Sequence, residues 1–549
     1  MSARDRTAAW TGKAAPGVFA AAGLIAAVTL AARVFGFGRW LVFSQSVGTT
    51  CVGSVYQAAN QLPNVIFEVA AGGALAAVAV PIIAGQLARD DDAGANQSAS
   101  AMLTWTLTVL IPLSVLMAAA AVPVSAFLVD AQGCPGSADL MASMVVVFAP
   151  QIALYGVGIV LAGVLQAHRR FLFAALAPLL SSVVVITTYL VYGALAQGRG
   201  NDLARLPSGA SAVLAAGTTL GVVALSLPLL VAVRRAGIRL RPTWTFPAGV
   251  ARRARSLAGA GLLALLAQQI AVLVTLWVSQ HRGGTGTLNV YTYVQAVYLL
   301  PYAVLAVPIA IAAFPAMAMG QDPTSVERAQ STLVSSARAI TVATCAAAAV
   351  LYAIAGPTGA FFSALDAGRH SHAGQEALAA LPGALSAFAP GLVGFGLAAL
   401  LTRALYIKGR PSVAAALVGL GWLVAASVPL FMLRDGAGPR DTLRSLGVAS
   451  SLGMTIAAVG LGVAVRRSWG PRTFNGLGRS AAVAIGAGVI AAAVGRALAG
   501  ALHPSGVSAG ALGALLVAVA SGMTCLALIW FVDRESARLV AARLRGRAR

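Results

Sequence analysis

Long apolar runs separated by short polar stretches recur from end to end of the chain. A membrane span needs about 20 mostly apolar residues. That rule places fourteen spans near 17–42, 63–86, 103–129, 142–166, 172–196, 210–233, 257–279, 290–318, 333–355, 383–407, 412–433, 443–465, 480–501 and 508–532. Lipid offers no partner to free backbone N–H and C=O groups, so spans of this length are helices. The pattern predicts an all-α polytopic membrane protein with about fourteen transmembrane helices. The first run follows Arg4, Arg6 and Lys13 and carries A-x-A patterns, as a signal peptide would. Removing it would leave an odd number of spans and spoil the charge asymmetry described below, so it is read as a retained helix.

The runs contain an internal repeat. F-A-P at Phe148–Pro150 recurs at Phe388–Pro390, and Gly156, Leu161, Leu165 and Arg170 match Gly396, Leu401, Leu405 and Arg410 at the same offset of 240. Leu62-Pro63 is echoed by Leu300-Pro301, each followed by an apolar run ending at a proline, Pro81 and Pro315. This predicts duplication of a six-span unit. An even number of spans gives both copies the same orientation, so the two lobes are parallel-related. The expected division is a tail 1–16, a first lobe 17–233, a linker 234–256, a second lobe 257–465, an added helix pair 466–532 and a tail 533–549.

Composition agrees with the pattern. The chain is 59% hydrophobic and 10% charged, against about 25% charged in soluble proteins. Net charge is +22, but the arginines recur between apolar runs instead of clustering on a soluble face, which excludes a nucleic-acid partner. With the N-terminus in the cytoplasm, 28 basic residues fall on the inner side and 8 on the outer. The positive-inside rule then puts both termini in the cytoplasm. The richest stretch, Arg234 to Arg255, suits anionic lipid headgroups. Cys345 and Cys525 lie in apolar runs. Cys51 and Cys134 fall in predicted outer loops, and their spacing leaves a disulfide open.

Chemistry-bearing residues inside spans are few. Ionisable groups at membrane depth cost about 2.5–3.5 kcal/mol each on insertion scales. Arg33 and Arg39 either line a cavity for an anion, phosphate above all, or snorkel to an interface. Glu68, the one carboxylate placed well inside a span, either pairs with a nearby arginine or couples transport to a cation. Gln57, Asn60, Gln61 and Asn64 gather around Pro63 at the predicted mouth of the second span, lining an entrance or capping the helix. In the second lobe the polar candidates are Gln268, Gln269, Gln295 and Arg403, with snorkelling the default for Arg403. His370 and His372, beside Asp366 and Glu376, read as a solvated outer loop. No catalytic constellation, cofactor motif or Walker A loop is found.

Several stretches resemble one family. They are A-R-V-F-G-F-G-R (32–39), N-Q-L-P-N-V-I-F (60–67) with the following G-G-A-L, A-P-Q-I-A-L-Y-G (149–156) and L-Q-A-H-R-R-F (165–171). L-L-P-Y (299–302) and R-A-L-Y (403–406) are weaker matches. Together they resemble the MurJ/MviN family of lipid II flippases, within the superfamily that includes drug and polysaccharide exporters. The resemblance implies a bacterial cytoplasmic-membrane transporter, not an enzyme. It would move an undecaprenyl-pyrophosphate-linked peptidoglycan precursor to the outer leaflet, alongside cell-wall synthesis proteins. It further implies that Arg33 and Arg39 contact the pyrophosphate and that the last two spans form a groove for the polyprenyl tail. The sequence departs from the family where basic residues usually follow L-P-N, since Val65 to Glu68 supplies none, and at Val294-Gln295, where a charged pair is usual. A small-molecule antiporter of the same superfamily and a non-transporting scaffold for envelope synthesis are the alternatives.

Overall fold

The computed structural model describes residues 16–130, 133–247, 250–318, 323–366, 372–474 and 476–534. The basic N-terminal tail, most of the C-terminal tail and His370 lie outside these residues. Helices cover all fourteen predicted runs. The first half comprises α1 (Pro16–Ser46), α2 (Cys51–Phe67), α3 (Gly73–Leu87), α4 (Asp92–Ala119), α5 (Ala121–Leu128), α6 (Ser137–Phe148), α7 (Gln151–Ala167), α8 (Phe171–Ala196), α9 (Ser208–Ser226) and α10 (Pro228–Arg235). The second begins with α11 (Val250–His281), α12 (Thr287–Pro301), α13 (Val307–Ala318) and α14 (Pro323–Leu365). It continues with α15 (His372–Ala379), α16 (Leu381–Phe388), α17 (Gly391–Ile407), α18 (Pro411–Met432) and α19 (Gly438–Trp469). Helices α20 (Leu477–Leu502) and α21 (Val507–Val532) close the chain.

Among the described residues, eleven helices are long and apolar enough to cross a membrane, or twelve if the bent pair Gly374–Phe388 and Gly391–Ile407 is one span. The other two predicted spans are helical too. They are α1, and the α2–α3 pair, which a wider π-helical turn at Glu68–Gly72 divides. The second predicted span therefore starts earlier than expected. Thr50 caps α2 by accepting from the Gly53 N–H at 3.1 Å, and Cys51 is the first residue of a helix rather than part of a loop.

The sequence repeat recurs in the packing. A second π-helical turn, Tyr302–Ala306, joins α12 to α13. In each half the π turn begins thirteen residues before the echoed proline, Pro81 or Pro315. Both F-A-P motifs break a helix, between α6 and α7 and between α16 and α17. The matched glycines do the same job. A Cβ on Gly156 would strike Thr106 and Leu110 of α4, and one on Gly396 would strike Thr344 and Ile340 of α14. Only a residue without a side chain lets these helices approach so closely.

The loops predicted to be outside meet at one end of the bundle, called the outer end here. The buried side chains divide along this axis. One cluster draws on residues between Phe43 and Leu446 from both halves, and its members lie toward the outer end. Toward the inner end, one cluster uses only residues between Ala79 and Ile238, and another only residues between Ala306 and Ile529. Among the described side chains, the halves share one core toward the outer end and form two clusters toward the inner end, where α3 also packs against α11.

Candidate functional site

The outer end is closed by polar bonds between the halves. Asp366, fully buried just past α14, accepts from the Thr49 N–H at 3.2 Å and from the Thr49 hydroxyl. Asn289 donates to the Gly48 carbonyl at 2.7 Å. The Gly286 N–H donates to the Ser54 hydroxyl at 2.8 Å, and Gln280 donates to the Ser54 carbonyl at 3.3 Å. Gln57 donates to Thr292 at 3.3 Å. Gly48 holds a left-handed φ of +67°, and a Cβ there would occupy the position of the Asp366 carboxylate. Beside these bonds lies an aromatic layer. Phe43 meets Tyr56, Tyr189 and, across the halves, Tyr293 at 6.3 Å, and Tyr293 stacks on Phe362 at 4.7 Å.

A disulfide joins Cys51 to Cys134 in this region, with Cα atoms 6.0 Å apart. Asp366 is a correction to the sequence reading, which set it in a solvated loop. Gln57, Asn60, Gln61 and Asn64 are corrected too. They lie within α2, not at a helix mouth, because the helix starts at Cys51.

Deeper in the first half, Tyr56, Asn60, Asn64 and Glu68 follow one another at four-residue spacing along α2, so they form one slowly turning polar stripe. Arg39 of α1 is half-buried, with its guanidinium carbon 5.4 Å from the Trp40 ring centre. Its charge reaches Tyr56, Tyr155 and Tyr189, and Asn64 lies within hydrogen-bonding reach of the Tyr155 hydroxyl. The buried Nε of Arg39 and Oδ1 of Asn60 have no hydrogen-bond partner among the described residues. Arg33 is exposed one and a half turns further inward, between the exposed Val34 and the inner part of α1. Glu68 is half-buried at the start of the π turn.

Two ion pairs occur between described residues, Arg205–Asp202 and Arg282–Asp435, both in outer loops. Glu68 therefore pairs with neither Arg33 nor Arg39. In the second half the predicted residues stay apart from this group. Gln295 donates to the Tyr291 hydroxyl at 3.0 Å within its own helix. Arg403 donates to the Ala399 carbonyl at 2.5 Å, again within its own helix, and its charge reaches Tyr302 and Tyr406.

An apolar groove of about 520 Å³ runs between α14, α17, α19 and α20, lined on α20 by Ile485, Gly488, Val489 and Ala492. One turn further outward on the same helix face stands Arg496, 5.1 Å over the Tyr352 ring and 3.4 Å from the Ser386 hydroxyl. Arg496 is not among the candidate residues read from the sequence. No group of three or more metal-ligating side chains occurs among the described residues.

Two helical halves packed around a core shared toward the outer end, with a cation on the first helix, have the architecture of membrane transporters. The fold agrees. A solved lipid II flippase MurJ in an inward closed conformation superposes with a TM-score of 0.70 at 15% identity, over 92% of this chain and 99% of that one. An inward-facing multidrug resistance MATE family transporter of the MOP superfamily gives 0.63 at 15% identity, over 81% and 97%. The profile of the family "Lipid II flippase MurJ" matches residues 43–503, and the chain belongs to that family. Its sequence is similar to proteins described as probable lipid II flippase MurJ from Rhizobium meliloti (strain 1021) and Rhizobium tropici. The identities are 29% over 306 residues and 26% over 300 residues, each covering 54% of both chains. The chain spans about half the length of these curated relatives. The family is one of multi-pass flippases of the bacterial cytoplasmic membrane, transporters and not enzymes.

Proposed function

We propose that this chain carries a pyrophosphate-linked polyprenyl lipid, lipid II in particular, from the cytoplasmic to the outer leaflet by alternating access. One observation carries the reading. A membrane helix bears two arginines, Arg33 and Arg39, that no carboxylate among the described residues neutralises. An arginine held without a counter-ion near low dielectric favours an arriving anion, and its planar fork suits phosphate oxygens. Asn60 and Asn64 add neutral donors beside it. Gln295 and Arg403 would meet the substrate from the second lobe, and Glu68 would couple or tune the transit. The groove at α20 would take the polyprenyl tail.

The division into lobes 17–233 and 257–465, with the pair after 466 added, is the frame in which these parts move. The shared core and the polar bonds across the halves at the outer end favour a state closed to the outside. Fourteen crossings with both termini in the cytoplasm complete the topology. The disulfide supports that orientation, because such bonds persist on the oxidising side of a membrane. The basic segment from Arg234 rests on anionic headgroups, and cell-wall synthesis proteins are the expected neighbours.

The test is depletion of a cell's resident lipid II flippase with this chain supplied in its place, reading lipid II in the outer leaflet. Rescue is expected, and it disappears in Arg33→Ala. Failure to rescue despite normal membrane expression would overturn the substrate assignment.

A further inference from the structure

After α10 the chain turns at Gly237, where φ is +78°, and runs back along α4 as a strap without helix or strand. Hydroxyls at four-residue spacing on α4 hold it. The Arg241 N–H donates to Ser100 at 3.0 Å, the Thr243 N–H to Thr104 at 3.1 Å and the Trp244 indole to Thr108 at 3.2 Å. In return the Trp105 indole donates to the Trp244 carbonyl at 2.9 Å. Strap, α4 and α10 line an open cavity of about 910 Å³.

The lining is ordered by depth. Arg234, Arg239 and Arg241 line the cavity, and none forms an ion pair with a described residue. Leu103, Leu107 and Ile111 form an apolar wall on α4. Trp105 and Trp244 stand exposed at the level of this apolar wall, 45% and 60% accessible, with the Trp244 indole on Thr108. From Ser100 to Pro112 the lining extends about 18 Å along the helix axis, comparable to the thickness of one leaflet's hydrocarbon.

We propose that this cavity binds one anionic phospholipid of the cytoplasmic leaflet, its phosphate on Arg234, Arg239 and Arg241 and one acyl chain along Leu103, Leu107 and Ile111. Charge complementarity selects the occupant. A zwitterionic lipid brings a cation to three unpaired arginines, and a soluble phosphate leaves the apolar wall wet. The inference rests on the cytoplasmic placement of the linker and not on the transported substrate.

The test is native mass spectrometry of the full chain released from nanodiscs of phosphatidylglycerol or phosphatidylcholine. One phosphatidylglycerol per chain is expected to survive delipidation, with no phosphatidylcholine counterpart. Replacing Arg234, Arg239 and Arg241 together by Gln should weaken it roughly a hundredfold, while the Gln substitutions of Arg466 and Arg467 should not. Leu107→Trp, which fills the apolar wall and keeps every charge, should also remove it and decides the matter if the triple variant fails to fold. Equal retention of both lipids, or an unchanged adduct in either variant, overturns the proposal. So does displacement of the bound lipid by added lipid II, which would make the site one for the transported molecule. Rescue in cells is read separately, so loss of transport and loss of this lipid are distinguishable.

Discussion

The two ends of the bundle solve opposite problems with similar residues. At the outer end, Asp366, Thr49, Asn289 and Ser54 are buried and paired across the halves. Toward the middle of the first half, Arg33, Arg39, Asn60 and Glu68 are charged or polar and make no ion pair among the described residues. Each bond of the outer set contributes about 1 kcal/mol net. Six of them reach about 6 kcal/mol, enough to move a two-state equilibrium from about 1:99 to about 99:1 in favour of closure. Unsatisfied groups in the middle lower stability where they stand, and in exchange they can discriminate an incoming anion. Closure and substrate recognition are thus assigned to different residues, so each can be altered alone.

That separation can be tested by breaking one region at a time. The largest effect is expected in the middle. Arg33→Ala with Arg39→Ala should cut rescue of flippase-depleted cells by about a hundredfold or more, since two charge-assisted contacts are worth about 3–6 kcal/mol. The outer closure should remain shut, as read by an impermeant maleimide on Val290→Cys, a buried position of the shared outer core that makes none of the closing bonds, in a background lacking Cys345 and Cys525. Next comes Asp366→Ala, which removes both bonds to Thr49. It should lower the closed fraction by about 2 kcal/mol, roughly thirtyfold in the equilibrium, and make the same reporter cysteine reactive from outside. Glu68→Gln should change rescue only a fewfold, because no arginine depends on it. A complete loss in well-expressed protein would show that Glu68 carries the coupling proton or cation. Arg403→Ala should be smallest, within about 1 kcal/mol of the wild type in thermal stability, as it gives up a bond to its own helix.

Much of this was legible in the residues. Apolar run length located every long helix, and the F-A-P repeat pointed to two matched units, although run length places both copies inside continuous spans and each proves to break its helix, at Pro150 and Pro390. The outer closure was not legible. Asp366 lies eleven residues past the predicted end of its span, and its burial depends on α14 continuing to Leu365 and on Thr49 arriving from a loop over three hundred residues away. Hydropathy carries no signal for such pairing. The same holds for Cys51 and Cys134, whose proximity depends on how α2 and α6 pack. The strap along α4 was seen only as a cluster of arginines, because its order comes from side-chain hydroxyls on another helix.

The two π turns carry a further consequence. Each adds a loop of slack to a helix at the same distance from its proline, yet one begins at Glu68 and the other at Tyr302. If the halves descend from one duplicated unit, the widened turn belonged to the ancestor and the residue that begins it has since diverged between the copies. Shape was kept in both copies while the chemistry at its start drifted apart. A relative moving a different cargo should therefore keep both widened turns and differ in the residues that begin them.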